Sequence, residues 1–92
     1  MKRKKERKLI FDEAGLTAFG MRLKHLRAEA GFTQAQLAFE AGVSLSQIAR
    51  IETARINPTL STVFAITKAL DISLVRMFDF SLPENKLIEK NF

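Results

Sequence analysis

The sequence contains no cysteine, tryptophan or tyrosine, and it has one histidine and two prolines in 92 residues. Without cysteine no disulfide can support a small core, and nothing indicates an oxidising compartment. A single histidine without cysteine offers no zinc or transition-metal ligand set, so we expect no metal and no other cofactor. The spacing shows neither a glycine-rich phosphate loop nor a His–carboxylate pairing, and we therefore expect no enzyme activity.

Long apolar runs are also lacking. The basic start is followed by only three apolar residues, 9–11, before Asp12 and Glu13, which is too short for the apolar region of a signal peptide. No stretch approaches the roughly 20 apolar residues that span a bilayer. We expect a cytoplasmic protein with one domain, no membrane partner and no small-molecule ligand domain.

Positive charge is concentrated at the N-terminus. The chain has 15 basic and 10 acidic side chains, and residues 2–8 hold six of the former and one of the latter. This arm therefore carries all of the formal net charge of +5. Residues 9–92 sum to zero, so a role of the folded part in binding a polyanion must rest on where its residues lie.

Helical periodicity and capping residues predict the first part of the fold. Thr17 is the expected N-cap of a first helix that ends at Gly31. Capping boxes over 33–36 and 44–47 predict two further helices of about two turns each. Gly42 supplies the tight turn between them, because glycine adopts a positive φ at little cost. The predicted inner face of the first helix consists of Phe19, Leu23, Leu26 and Ala30.

Two more helices are predicted in the second half of the chain. A breaker pair at 57–58 precedes Thr59, which is the expected N-cap of a fourth helix that runs to about Leu70. Ser73 caps a short fifth helix through Phe78. The predicted inner face of the fourth helix consists of Leu60, Val63, Ile66 and Leu70.

The segment 34–53 predicts a helix-turn-helix. Its two short helices are separated by residues 41–44, a connection too short for antiparallel packing, so they must cross steeply. Ala38 is small where the two backbones come closest. We therefore expect an all-α fold of five helices. The predicted divisions are a basic arm and lead-in over 1–16, a helix-turn-helix DNA-binding domain over 17–80 and a C-terminal tail over 81–92.

Four motifs resemble the phage-repressor (Cro-type, XRE) helix-turn-helix family: LKHLR at 23–27, GFTQAQLA at 31–38, GVSLSQIARIE at 42–52 and NPTL at 57–60. The resemblance extends from residue 18 to about residue 78. It implies a lambda-repressor-like domain whose third helix lies in the major groove of DNA. It also implies that the base-reading residues are Leu45, Ser46, Ala49 and Arg50, which a helical wheel places opposite Ile48 and Ile51.

Chemistry distinguishes these four positions. Arg50 is the side chain of this face that can bind guanine bidentately through O6 and N7. Ser46 discriminates weakly, and Leu45 and Ala49 can only meet thymine methyl groups or fill space. Many relatives have a glutamine at the position of Leu45, held by the glutamine equivalent to Gln34. Leu45 removes that pairing, so we expect Gln34 to bind phosphate alone.

The resemblance further implies phosphate contacts and a structural ion pair. The expected pair joins Arg27 to Glu52, mostly buried. The N-terminal arm is expected to follow a groove or the phosphates, with a solubility tail as the alternative; its basic residues are Lys2, Arg3, Lys4, Lys5, Arg7 and Lys8. Expected phosphate-binding residues are Thr33, Gln34, Ser44, Arg55, Asn57 and Thr59, with smaller contributions from Arg22 and Lys24.

The leading functional hypothesis is a small transcriptional regulator, a repressor, that binds a pseudo-palindromic operator on double-stranded DNA as a homodimer. The alternatives are an antitoxin with a toxin partner, and a protein-interaction module that has lost DNA readout. We assign dimerisation to the fifth helix and the tail, with a tail that folds back on its own protomer as the alternative. Met21 is interpreted as core or interface filler, and Phe39 faces outward. The candidate dimer residues are Met77, Phe78, Phe80, Leu87 and Ile88.

Overall fold

The computed structural model describes residues 10–82. In this range the chain forms helices and no strand, which confirms the predicted all-helical, five-helix fold. None of these helices is both long enough and apolar enough to span a membrane. The helices are α1 (Glu13–Glu29), α2 (Gln34–Ala41), α3 (Leu45–Glu52), α4 (Leu60–Ala69) and α5 (Leu74–Met77).

The first helix begins one turn earlier than predicted. Asp12, not Thr17, is the N-cap, and its carboxylate accepts a hydrogen bond of 3.0 Å from the backbone N–H of Gly15. Glu13 adds negative charge to the first turn, where the helix dipole favours it. Both Asp and Thr are good N-caps, and the earlier one prevails because a single glycine between them costs only about 1 kcal/mol.

The next three helices begin where the sequence predicts. Thr33 and Gln36 form a complete capping box, since each side chain bonds to the backbone N–H of the other. The hydroxyl of Ser44 accepts from the backbone N–H of Gln47, but the return bond from the Gln47 side chain is not formed. The second predicted box is therefore only half present. Thr59 caps α4 as expected.

Four helices end in the same way. Gly31 and Gly42 have φ of 80° and 74°, as predicted, and Ala54 and Asp71 adopt the same left-handed conformation with φ of 59° and 55°. After each of them the chain bonds back to a carbonyl five residues earlier, for example from Arg55 to Arg50 at 2.8 Å. These bonds satisfy carbonyls that a helix end leaves free, and they offset the roughly 1–2 kcal/mol that a non-glycine residue loses in this conformation.

The core lies where α1 packs on α3, α2 packs on α3 and α4, and α5 packs on α1 and α4. Two expectations about its boundary were wrong. Leu60 is 67% exposed because it is the first residue of α4 and lies outside the core, and Ala30 is exposed at the end of α1. Met21 is also exposed, so it is not core filler, and its role as interface filler stays a prediction. The fully buried large side chains are Leu23, Leu37, Ile48, Ile51, Ile66 and Met77.

Gly20 allows α1 and α3 to approach closely. A Cβ atom built on Gly20 would lie 2.5 Å from the carbonyl oxygen of Ile51 and 2.8 Å from that of Glu52. Both neighbours are backbone atoms at the end of α3, and they cannot move without moving the helix. Glycine is needed here for space, although its periodicity in α1 does not distinguish it from an ordinary helical residue.

We expect Gly20→Ala to lower the free energy of unfolding by about 1–3 kcal/mol, because overpacking exceeds the gain in helix propensity. Thr17→Ala, at an exposed position of the same helix, is the matched control and should be neutral or slightly stabilising. Urea denaturation of the two variants gives the comparison. A Gly20→Ala protein at least as stable as the wild type would contradict the close approach.

Side-chain contacts hold the short helix α5 against α1. Arg22 donates from Nε and Nη2 to the backbone carbonyl of Arg76, at 3.0 and 2.7 Å. The Arg76 guanidinium in turn pairs with Glu29. The ring of Phe19 lies 5.4 Å from that of Phe78, which adds apolar contact. Arg22 therefore anchors α5, which competes with the phosphate contact suggested for it.

Candidate nucleic-acid interface

The helix-turn-helix is formed by α2, the turn at Gly42 and α3. Ala38 is buried at the contact between the two helices, and its carbonyl accepts a hydrogen bond of 3.0 Å from the backbone N–H of Val43. Gly42 takes the left-handed conformation that the turn requires. The tight turn and the small residue at the crossing are thus both present, as the sequence predicts.

One face of α3 is buried and the other is free to contact a partner. Ile48 and Ile51 are buried completely, whereas Leu45 is 50% exposed. The residues predicted to read bases lie on this outer face: Leu45, Ser46 and Arg50 are exposed, and Ala49 is half-buried. The structure therefore brings the four predicted residues to one accessible surface, and their contact with bases stays a prediction.

Three of the hydroxyl groups expected to bind phosphate serve as helix caps. Thr33, Ser44 and Thr59 each accept a hydrogen bond from a backbone N–H in the first turn of the helix that follows. A hydroxyl that accepts such a bond still has its proton to donate. Thr59 donates it to the hydroxyl of Thr62, at 3.1 Å, which leaves Thr33 and Ser44 better placed to donate to a phosphate.

The predicted ion pair between Arg27 and Glu52 is present and joins α1 to the end of α3. Arg27 Nε and Nη2 donate to the two carboxylate oxygens of Glu52 at 2.6 and 3.0 Å. The two side chains are 14% and 2% exposed. The hydrogen bond to Glu52 raises the pKa of Arg27 above its usual value, against the opposing effect of burial. A third donor, Nη1, bonds to the carbonyl of Phe32 at 2.9 Å.

Gln34 is attached to this ion pair. Its Nε2 donates to Glu52 Oε1 at 2.9 Å, so the carboxylate accepts from both Arg27 and Gln34. The expectation that Gln34 has only a phosphate as its partner is wrong for this structure. The contact spans 18 positions along the chain, and helical periodicity carries no information about such a pair.

The loop after α3 has one side toward solvent and one toward the core. Arg55 and Asn57 are exposed, as expected of phosphate-binding residues, and Ile56 is partly buried against the core. Lys24 is exposed on α1. The predicted arm over 2–8 lies outside the described residues. Between residues 10 and 82 there is no group of three or more side chains that could hold a metal ion.

The helix-turn-helix family HTH_3 matches residues 23–76 of the chain. This chain is a member of that family. The immunity repressor of Bacillus phage phi105 is 47% identical over 55 residues, which cover 60% of this chain and 38% of the repressor. The chain thus spans less than half the length of that relative.

Solved structures agree with the family. The restriction-modification controller protein C.AhdI from Aeromonas hydrophila superposes with a TM-score of 0.69 at 35% identity, covering 71% of this chain and 98% of that protein. The clp gene regulator ClgR from C. glutamicum gives a TM-score of 0.66 at 25% identity, covering 68% and 81%. The predicted phage-repressor-like fold is confirmed, and the chain belongs to a family of DNA-binding transcriptional regulators.

This helix-turn-helix protein has an apolar groove of about 420 Å³ beside the loop that follows α3. Asn57 and Leu82 lie at this groove. Leu60 is its most exposed apolar residue, and Phe78 is 46% exposed. The apolar walls are formed by Leu16, Phe19, Pro58, Leu60, Val63, Phe78 and Phe80.

The structure corrects part of the predicted dimer surface. Met77 is completely buried in the core of its own protomer, so it cannot form an interface. Helix α5 is only four residues long, and Met77 is the side chain that it directs inward. Phe78 is exposed and Phe80 is partly buried against the core. Leu87 and Ile88 lie outside the described residues.

Proposed function

We propose that this protein is a sequence-specific transcriptional repressor that binds a pseudo-palindromic operator on double-stranded DNA as a homodimer. The outer face of α3 carries the proposal, because Arg50 is exposed there beside Leu45 and Ser46. A guanidinium on the outer face of this helix has the donor geometry that guanine accepts in the major groove. The protein acts by binding and not by catalysis.

The need for two copies follows from the size of the reading surface. One α3 with a single bidentate base reader contacts too few base pairs to select a site among the many competitors in a genome. Two copies related by a twofold axis present two reading helices about 34 Å apart, which matches one turn of DNA. The apolar groove and the exposed Leu60 and Phe78 offer a surface for the second copy.

Selection of bound duplexes from random DNA with the full chain tests the function. We expect enrichment of a twofold pseudo-palindrome with half-site centres about 10 base pairs, or a multiple of this, apart. Sedimentation of the protein without DNA should give the mass of a dimer at tens of micromolar. Enrichment of no sequence would contradict specific binding, and an enriched site without twofold symmetry would contradict the homodimer.

The variant Leu60→Glu locates the dimer surface in the same sedimentation experiment. It places a charge on the groove, and glutamate at the start of α4 is compatible with the helix dipole, so the fold should be retained. Phe39→Glu is the matched control, because Phe39 is 83% exposed on α2 and does not line this groove. We expect a monomer for Leu60→Glu and a dimer for Phe39→Glu; the reverse would place the interface on α2.

A further inference from the structure

The first residue of α2 is connected to the most buried carboxylate of the described chain. Gln34 begins α2 directly after its N-cap, Thr33. Its side-chain amide donates to Glu52 at 2.9 Å, and the Glu52 side chain is only 2% exposed. Gln34 itself is half-buried, so one end of its amide points inward while the residue still reaches the surface.

Glu52 has the properties of a rigid anchor. Its two oxygens are bound by two nitrogens of Arg27, which fixes the carboxylate plane. Arg27 is bound a third time, by the carbonyl of Phe32, which lies just before the α2 cap. The guanidinium also neutralises the carboxylate, so Glu52 does not present an unpaired negative charge to a nearby phosphate.

The outer face of α3, which is predicted to read bases, offers the Gln34 side chain no comparable anchor. Leu45, at the start of α3, has no polar side-chain atom and cannot hold an amide by a hydrogen bond. An amide NH₂ group has two donors, and Glu52 uses one of them. The second N–H and the carbonyl oxygen of Gln34 remain for a ligand at the start of α2.

We propose that Glu52 is a positioning residue of the DNA interface. It holds the Gln34 amide in one orientation, so that the second N–H of this amide donates to a DNA phosphate without a further loss of side-chain freedom on binding. The inference rests on the proposed function. A free glutamine has several rotatable bonds, and immobilising such a side chain on binding costs free energy. The anchor removes that cost before DNA arrives.

The first arm of the test is a relaxation measurement on the side-chain NH₂ groups in the DNA-free wild-type protein. Gln34 should have an order parameter close to that of rigid backbone, about 0.85, since its amide is held. Gln47 is the internal comparison, because its side chain makes no hydrogen bond within residues 10–82 and should be more mobile. A Gln34 amide as mobile as that of Gln47 would overturn the inference. This measurement needs no variant and does not depend on DNA.

The second arm is a double-mutant cycle on the selected operator, with Glu52→Gln and Gln34→Ala measured alone and together. Ile66→Val is the control, because it weakens the core on α4 without touching this pair. All affinities are taken at a temperature at which every variant is folded by circular dichroism.

We expect Glu52→Gln to weaken operator binding roughly 2- to 10-fold when Gln34 is present and to have no effect when it is alanine. Ile66→Val should leave affinity unchanged. Equal effects of Glu52→Gln in both backgrounds would overturn the inference and leave the proposed function standing. Failure of the wild type to bind any duplex would overturn the proposed function, and the inference with it.

Discussion

Replacing Glu52 with alanine should lower the free energy of unfolding by about 3–5 kcal/mol. The change removes a carboxylate that is 2% exposed. The Arg27 guanidinium, whose side chain is 14% exposed, then loses its negatively charged partner in a nearly buried position. It also leaves the Gln34 amide without its acceptor. Since small domains have a total stability of about 5–15 kcal/mol, this is a large part of the margin.

Urea denaturation followed by circular dichroism measures this loss. Glu29→Ala is the matched control, because Glu29 also pairs with an arginine, Arg76, but both side chains are about half exposed. Exposed pairs contribute about 0–1 kcal/mol, so the control should unfold close to the wild type. Equal losses for the two variants would show that burial does not determine the contribution of the Glu52 pair.

Replacing Arg50 with alanine should weaken binding to the selected operator by about 1–3 kcal/mol per half-site and leave binding to random DNA almost unchanged. The physical reason is that the two hydrogen bonds proposed between Arg50 and guanine O6 and N7 would be lost at one base pair, while phosphate contacts would remain. Repeating the selection with the variant should show relaxed preference at that base pair. Fluorescence anisotropy on both duplexes gives the two affinities.

Arg55→Ala is the control for this experiment. Arg55 is exposed in the loop after α3, and we propose that it contacts phosphate and not base edges. Its loss should weaken operator and random DNA alike and should reduce the slope of log affinity against log salt by about 1. If Arg50→Ala behaves in the same way as Arg55→Ala, then Arg50 is a phosphate contact.

The sequence predicts those parts of the fold that depend on neighbouring residues. The caps at Thr33, Ser44 and Thr59 and the glycine turns at Gly31 and Gly42 are local features, and the structure has all of them. The start of α1 was missed because two acceptable caps compete, and both satisfy the same local rule. Local signals therefore identify elements more reliably than their ends.

Features that depend on a distant partner could not be read in this way. The exclusion of a Cβ at Gly20 is evident only when the carbonyls of α3 are in place, and the inward direction of Met77 is evident only in the packed core. The bond from Gln34 to Glu52 likewise appears only when α2 and α3 are placed together. The Arg27–Glu52 pair was predicted despite its separation, because the family resemblance supplied information that periodicity does not contain.

The turn at Asn57 and Pro58 belongs to two surfaces at once, the wall of the apolar groove and the loop beside α3. Dimerisation through the groove and DNA binding through the loop would therefore influence each other. Linkage makes this reciprocal: the factor by which DNA tightens the dimer is the factor by which the dimer tightens DNA binding. For the proposed homodimer, operator occupancy at protein levels low enough to keep most of the protein monomeric would rise with the square of the monomer concentration. A twofold dilution of the protein, as in one round of cell growth without synthesis, would then lower operator occupancy about fourfold.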